Sequence, residues 1–250
     1  MKVLLFITGF RQVKEYDYFS RFLRRLAGLG DLCDVFIYCN NADISAEIVT
    51  YYKTFPQKNK HLHITTRNAG FSMGAVEAVS NGIEMGLFGD YDYVIHLHPD
   101  VFITDDAGIL KVLRSNLDND NVFLVNRSLP DDERFFSFDF FIFKPRLLPR
   151  NIFRDELHTY DGWPEHYLFD MLVKHDIKHQ IVARFDTNDW QPRRVDDHLG
   201  LYHEHDLGRV EELLTTLETA APTADTPPGN AAAKWQPPLI QLHPAPTTKA

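Results

Sequence analysis

Residues 91–100 read YDYVIHLHPD. Residues 91–97 are mostly aromatic and aliphatic and are predicted to form a strand. Pro99 lacks an N–H and ends it. Asp100 therefore falls on the loop at the strand's carboxyl end. A carboxylate there can hold a divalent cation through hard oxygen contacts. Such a cation can neutralise a diphosphate leaving group. Asp100 is read as a cation ligand rather than a turn former, and His96 as a packed core histidine.

Helical spacing flanks this strand. Residues 71–87 carry Val76, Val79, Ile83 and Leu87 along one side. Residues 109–117 form the next helix, with Thr104 or Asp105 placed to cap it. Further out, the apolar run 3–7 is a first buried strand. Residues 16–29 follow as one helix, with Phe19, Phe22, Leu23 and Leu26 on one face. Residues 34–39 are a second strand, ended by the turn signal Asn40-Asn41. Residues 44–55 are a helix stopped by Pro56, and 61–65 and 122–125 are short strands. Alternating strands and helices imply right-handed crossovers and an α/β fold with a mostly parallel central sheet and flanking helices. Ligands on such sheets sit beyond the carboxyl ends of the strands. That picks out loops 8–11, 40–43 and 98–104.

The second half is less regular. Residues 138–143 are an aromatic strand ended by Pro145. Residues 162–175 contain a helix starting near Pro164. A strand is expected over 177–184 and a short helix over 210–217. The organisation read from this is one domain, with residues 1–125 as one half and 126–219 as the other. Residues 220–250 hold seven of the chain's 14 prolines and are expected to form a disordered tail.

The 250 residues are 44% hydrophobic and 24% charged, which allows a sizeable core. With 35 acidic against 26 basic side chains the net charge is -9, which argues against a nucleic-acid partner. Cys33 and Cys39 cannot make a disulfide framework or a four-thiolate zinc site, and are read as small buried side chains in a reducing, cytoplasmic setting. The first apolar run is shorter than a signal-peptide core, and Arg11 follows without a cleavage-like site. No run reaches about 18 apolar residues, so no transmembrane helix is expected. Peripheral contact with a membrane remains open.

Residues 66–74, TRNAGFSMG, open the helix before the central strand. Gly70 permits a tight turn, and free N–H groups at a helix start suit an anion. Arg67 can pair with a phosphate, and Asn68 can bond a base or ribose. Taken together, the segment RNAGFSMGAVEAVSNGIEMGLFGDYDYVIHLHPDVFI resembles the donor-binding half of a GT-A glycosyltransferase, closest to the family 2 type. Those enzymes carry N-x-G, a small-residue helix with Asn and Gly-Ile, and a strand ending in D-x-D or N-P-D. Asn68-Ala69-Gly70, Asn81-Gly82-Ile83 and His98-Pro99-Asp100 follow in that order here. The resemblance covers about the first 125 residues well and the rest loosely.

The resemblance implies hexosyl or deoxyhexosyl transfer from a nucleoside diphosphate sugar to a saccharide or lipid-linked acceptor, as in polysaccharide biosynthesis. Inversion at C1 and a divalent cation, Mn2+ or Mg2+, come with it. Thr8, Gly9 and Arg11 would lie beside the nucleotide, and Asn40 or Asn41 would contact base or ribose. Arg67, Asn68, Gly70 and His98 would flank the donor, and Asp100 would bind the metal. His98 stands where D-x-D has its first Asp, which favours Mn, Zn or Fe over Mg if it is a ligand. In DGWPEHYLFD, residues 161–170, the overlay puts Glu165 on the family's acidic base and His166 on the Asp that follows it. Glu165, then Asp161, then His166 are the candidate general bases. A late histidine often reaches back to the metal, and His203 and His205 in YHEHD are the candidates. Arg193, Arg194 and Arg209 are nearby cations, and Asp139 is a candidate contact to a sugar hydroxyl.

Two other readings use the same residues. His96, His98 and Asp100 have the H-x-H-x-D spacing of some zinc hydrolases. A nucleotide-sugar-binding module without turnover would fit the missing first Asp and the altered Glu-Asp pair.

Overall fold

The apolar run of the N-terminus forms strand β1, Val3–Thr8, with every side chain buried. In this computed structural model the described residues are 1–9, 13–40, 45–65, 73–127, 136–185, 194–196 and 198–219. Helices α1 (Lys14–Arg25) and α2 (Ala27–Leu32) lead to β2 (Cys33–Cys39). Helix α3 (Ser45–Thr54), β3 (Lys60–Ile64), α4 (Gly74–Glu84) and β4 (Tyr93–Leu97) complete the first half of the sheet. Then come β5 (Val101–Ile103), α5 (Ala107–Ser115), β6 (Val122–Arg127) and β7 (Phe136–Phe143). Helix α6 (Pro164–Lys174) follows, then β8 (His179–Phe185), β9 (Arg194–Asp196), β10 (Leu201–His203) and α7 (Leu207–Thr219).

Seven strands make one sheet in the order β3-β2-β1-β4-β7-β6-β8. The pairs β2/β3, β1/β2, β1/β4 and β6/β8 are parallel, and β7 is antiparallel to both β4 and β6. The chain runs outward from β1 to β3 and returns to β4 on the other side of β1. The strand order thus reverses between β1 and β4, where α/β sheets open a crevice. Two apolar clusters cover the two faces. One joins Leu5, Ile7, Val35 and Ile95 to α1, α3, α5 and α7. The other joins Phe6, Val94 and Phe141 to α4 and α6. Cys33 and Cys39 are buried thiols, not joined in a disulfide. No described helix is long and apolar enough to cross a membrane.

The helix expected over 16–29 is divided at Leu26, which is extended (φ -89°, ψ 97°) and buried. The reason is close docking of α2. A Cβ on Gly28 would lie 2.3 Å from Leu110 Cδ1, and Asp106 Oδ2 accepts the Leu29 N–H at 2.7 Å. The start of the helix expected over 71–87 and the tail beyond 219 lie outside the described residues.

A second sheet, β5-β10-β9, carries no sequence signal because its strands have three residues each. It begins one residue after Asp100. Antiparallel register sets His203 opposite Val101 and Leu201 opposite Ile103. Gly200 makes the approach possible: its φ is +68°, and a Cβ there would sit 2.1 Å from the Asp105 carbonyl oxygen. Its own carbonyl accepts from Thr104 N at 2.7 Å and Thr104 Oγ1 at 3.0 Å. Gly200→Ala therefore combines left-handed strain with a backbone clash, and is expected to cost roughly 2–4 kcal/mol, read as a lowered urea midpoint.

Candidate active site

Asp100 follows the end of β4 in a turn closed by the Val101 N–H donating to the His98 carbonyl at 3.1 Å. Its own carbonyl accepts the Glu204 N–H at 3.2 Å, which ties it to the far end of β10. The side chain is 5% exposed. Asp100 Oδ2 lies 3.5 Å from His203 Nε2 and 3.0 Å from His205 Nδ1. Burial alone would raise the pKa of this carboxyl, but the two imidazoles outweigh it and hold it well below its usual range.

The ligand-type atoms of Asp100, His203 and His205 all fall within 4.8 Å of one another. One carboxylate and two imidazoles suit Mn, Zn or Fe. Three such donors leave the remaining coordination positions of a cation to oxygens from elsewhere. Glu204 builds the turn that follows His203 and carries His205. Its buried Oε1 accepts the N–H groups of His205 (2.9 Å) and Asp206 (3.0 Å), and Oε2 faces Tyr202 Oη (3.3 Å) and Arg209 (3.6 Å). Sequence reasoning passed over Glu204, although a carboxylate between two histidines was there to be read.

Next to this cluster, the β6/β7 ladder loses register: Leu124 pairs with Phe141, yet Asn126 pairs with Phe136. The extra β7 residues include Ser137 and Asp139. Irregularities of this kind re-aim side chains beside functional sites. Asp139 Oδ1 lies 3.0 Å from His98 Nδ1, and Oδ2 accepts from Ser137 Oγ at 3.1 Å and lies 3.7 Å from His203 Nδ1. Burial disfavours a charged His98, but the Asp139 carboxylate prevails and raises its pKa above the usual value.

His96 sits deeper. It is fully buried among Phe138 and Phe141, and Nε2 is hydrogen-bonded to Thr8 Oγ1 at 2.7 Å. Burial pushes its pKa well down, so the ring is neutral. The H-x-H-x-D residues thus do not assemble as one ligand set: Asp100 turns to His203 and His205, His98 to Asp139, and His96 to Thr8. Gly9, with φ +95°, presents its carbonyl to the Tyr16 hydroxyl at 2.6 Å.

The sequence matches no family model and no curated protein. Solved structures do resemble the chain. The apo structure of the bifunctional glycosyltransferase WbbM aligns over 72% of this chain with a TM-score of 0.51 and 16% identity. The fold is GT-A-like. This chain spans only 38% of WbbM. A candidate nucleotide-diphospho-sugar transferase from Desulfovibrio desulfuricans G20 aligns over 74% of this chain and 81% of its own, with a TM-score of 0.49 and 11% identity.

Within the GT-A-like sheet, the Asp100 cluster stands at the carboxyl ends of β1 and β4, where the strand order reverses. Asn40, just past β2, is 6% exposed, and its Oδ1 has no hydrogen-bond partner among the described residues. Arg11, Asn41, Arg67, Asn68, Gly70 and Arg193 lie outside the described residues, and of Arg194 only the backbone is described. Glu165 occupies the first turn of α6, is 6% exposed, and is close enough for its charge to act on His98. Asp161 is exposed and His166 half-buried. A cleft of about 660 Å3 lies at the opposite end of β4, lined by Tyr91, Tyr93 and Arg146 among others, and contains none of these candidates.

The His98–Asp139 pair has a pH signature. Because the folded pKa of His98 is raised, the pair stabilises the metal-free protein fully below the unfolded value of about 6.5, and this is lost as pH rises through the folded value. Urea midpoints of wild type and His98→Gln, compared from pH 5 to 9, are expected to differ most at the acid end.

Proposed function

We propose that this chain is a cation-assisted glycosyltransferase of the family 2 type. It moves a sugar from a nucleoside diphosphate sugar to a hydroxyl of a saccharide or lipid-linked acceptor, with inversion at C1. The observation that carries this reading is the Asp100–His203–His205 cluster beyond β4, at the strand-order reversal of a GT-A-like sheet.

Asp100, His203 and His205 would hold the cation, Mn2+ fitting this donor set better than Mg2+. When bound, it supplies positive charge to the diphosphate oxygens of the leaving group. Asp100 remains ionised at any physiological pH, so its share of that grip does not depend on a proton. Glu165 is the candidate general base. It takes the proton of the acceptor hydroxyl as that oxygen bonds to C1, while the bond from C1 to the diphosphate oxygen breaks and nucleoside diphosphate leaves. Burial in the first turn of α6 and proximity to His98 support Glu165 over Asp161. Thr8, Gly9 and Asn40, with Arg11, Asn41, Arg67, Asn68 and Gly70, are the proposed donor contacts. Trp163, 54% exposed immediately before α6, offers an apolar plate for a pyranose ring of a saccharide acceptor.

Isothermal titration with UDP, GDP and dTDP, each with Mn2+ or Mg2+, tests the reading. Binding of one nucleotide that requires the cation is expected, and absence of binding to all of them overturns it. Asp100→Asn is expected to abolish the cation-dependent part. Glu165→Gln is expected to keep nucleotide binding and lower kcat by about 10²–10⁴-fold. Nucleotide-sugar binding by wild type without any release of nucleoside diphosphate would instead mark a binding module.

A further inference from the structure

The mechanism above leaves Asp139 unused, although it is 9% exposed and faces three polar side chains. His203 lies between two carboxylates. Its Nε2 faces Asp100 Oδ2 at 3.5 Å and its Nδ1 faces Asp139 Oδ2 at 3.7 Å. A neutral imidazole has one N–H and one lone pair. Only one arrangement serves a cation shared with Asp100: the proton on Nδ1, toward Asp139, and the lone pair on Nε2. A carboxylate behind a ligating histidine fixes both tautomer and ring orientation in this way.

We propose that Asp139 is the positioning residue of the cation site, rather than a contact to a sugar hydroxyl. It holds the His203 proton on Nδ1 and so turns Nε2 toward the cation. The assignment rests on the cation reading above and extends it. Asp139 reaches this position because β7 pairs in regular antiparallel register with β4, a ladder that the His98 N–H continues by donating to the Asp139 carbonyl. Ser137 Oγ, donating to Asp139 Oδ2 at 3.1 Å, and His98 Nδ1, 3.0 Å from Oδ1, hold the carboxylate in its rotamer. One carboxylate thereby orients two imidazoles, one on the cation and one beside it. An amide in its place would turn an NH2 toward one of these ring nitrogens, opposing the N–H that each now presents.

Mn2+ titration of the full chain, followed by the electron paramagnetic resonance of the free ion, tests the assignment. Asp139→Asn is expected to bind Mn2+ about 10–100-fold more weakly than wild type. At pH 8 to 9, where the His98–Asp139 pair stabilises the metal-free protein least, the variant should remain folded by circular dichroism. The 15N shifts of the His203 ring should report a proton on Nδ1 in wild type and a mixed tautomer in the variant. Mn2+ affinity equal to wild type in a folded Asp139→Asn protein overturns the role of Asp139 and leaves the cation reading standing. Failure of wild type to bind Mn2+ overturns both. If Asp139→Asn does not fold, Ser137→Ala carries the test. A weaker affinity for Mn2+ then supports the assignment, and an unchanged one overturns it.

Discussion

A carboxylate buried at the end of a central strand must be met by charge and hydrogen bonds, or the fold cannot hold it ionised. Asp100 is that carboxylate, and much of the surrounding architecture answers its demand. Strand β5 leaves directly from it, β10 pairs with β5 and brings His203 to its Oδ2, and the turn after β10 delivers His205 to the same atom. Glu204, itself fully buried, pins that turn by its backbone N–H groups. Gly200 and Gly108 let the returning chain press against residue 105 and α5; a Cβ on Gly108 would sit 2.0 Å from the His198 carbonyl oxygen. Asp100, the turn and the two glycine contacts form one mechanical unit.

The one reversed strand inside the main sheet has a matching role. Because β7 runs antiparallel to β4, its early residues lie at the carboxyl end of β4, beside His98. A parallel strand in that position would present its late residues there. The His98 N–H donates to the Asp139 carbonyl at 2.9 Å, which carries the ladder one step past the end of β4. Reversal of direction and the regular β4/β7 register together bring a second carboxylate to the same end of the sheet as Asp100.

The elements legible in the sequence are those with a local cause. The unbroken apolar run at residues 3–7, the stop at Pro99 and the start of α6 at Pro164 all depend on residues within a few positions of one another. The site was legible only in part. Asp100 follows from a proline-terminated strand, and His203 and His205 from family resemblance. What stayed hidden depends on distant partners. A three-residue strand has no period to detect, so the β5-β10-β9 sheet left no trace. The break at Leu26 is set by how α2 docks on Leu110 and Asp106, some eighty residues on. The approach of Asp139 to His98 and His203 is set by which residues of β4 and β7 stand side by side, a long-range register that no local pattern reveals.

Asp100 and His203 are far apart in the chain. About a hundred residues must close into a loop before the two side chains meet, and closing a loop of that size carries an entropic cost that local helices avoid. Detachment of β10 would dismantle the ligand trio. Any guest that binds all three side chains would act as a staple across that loop, and would hold the C-terminal segment closed by mass action alone.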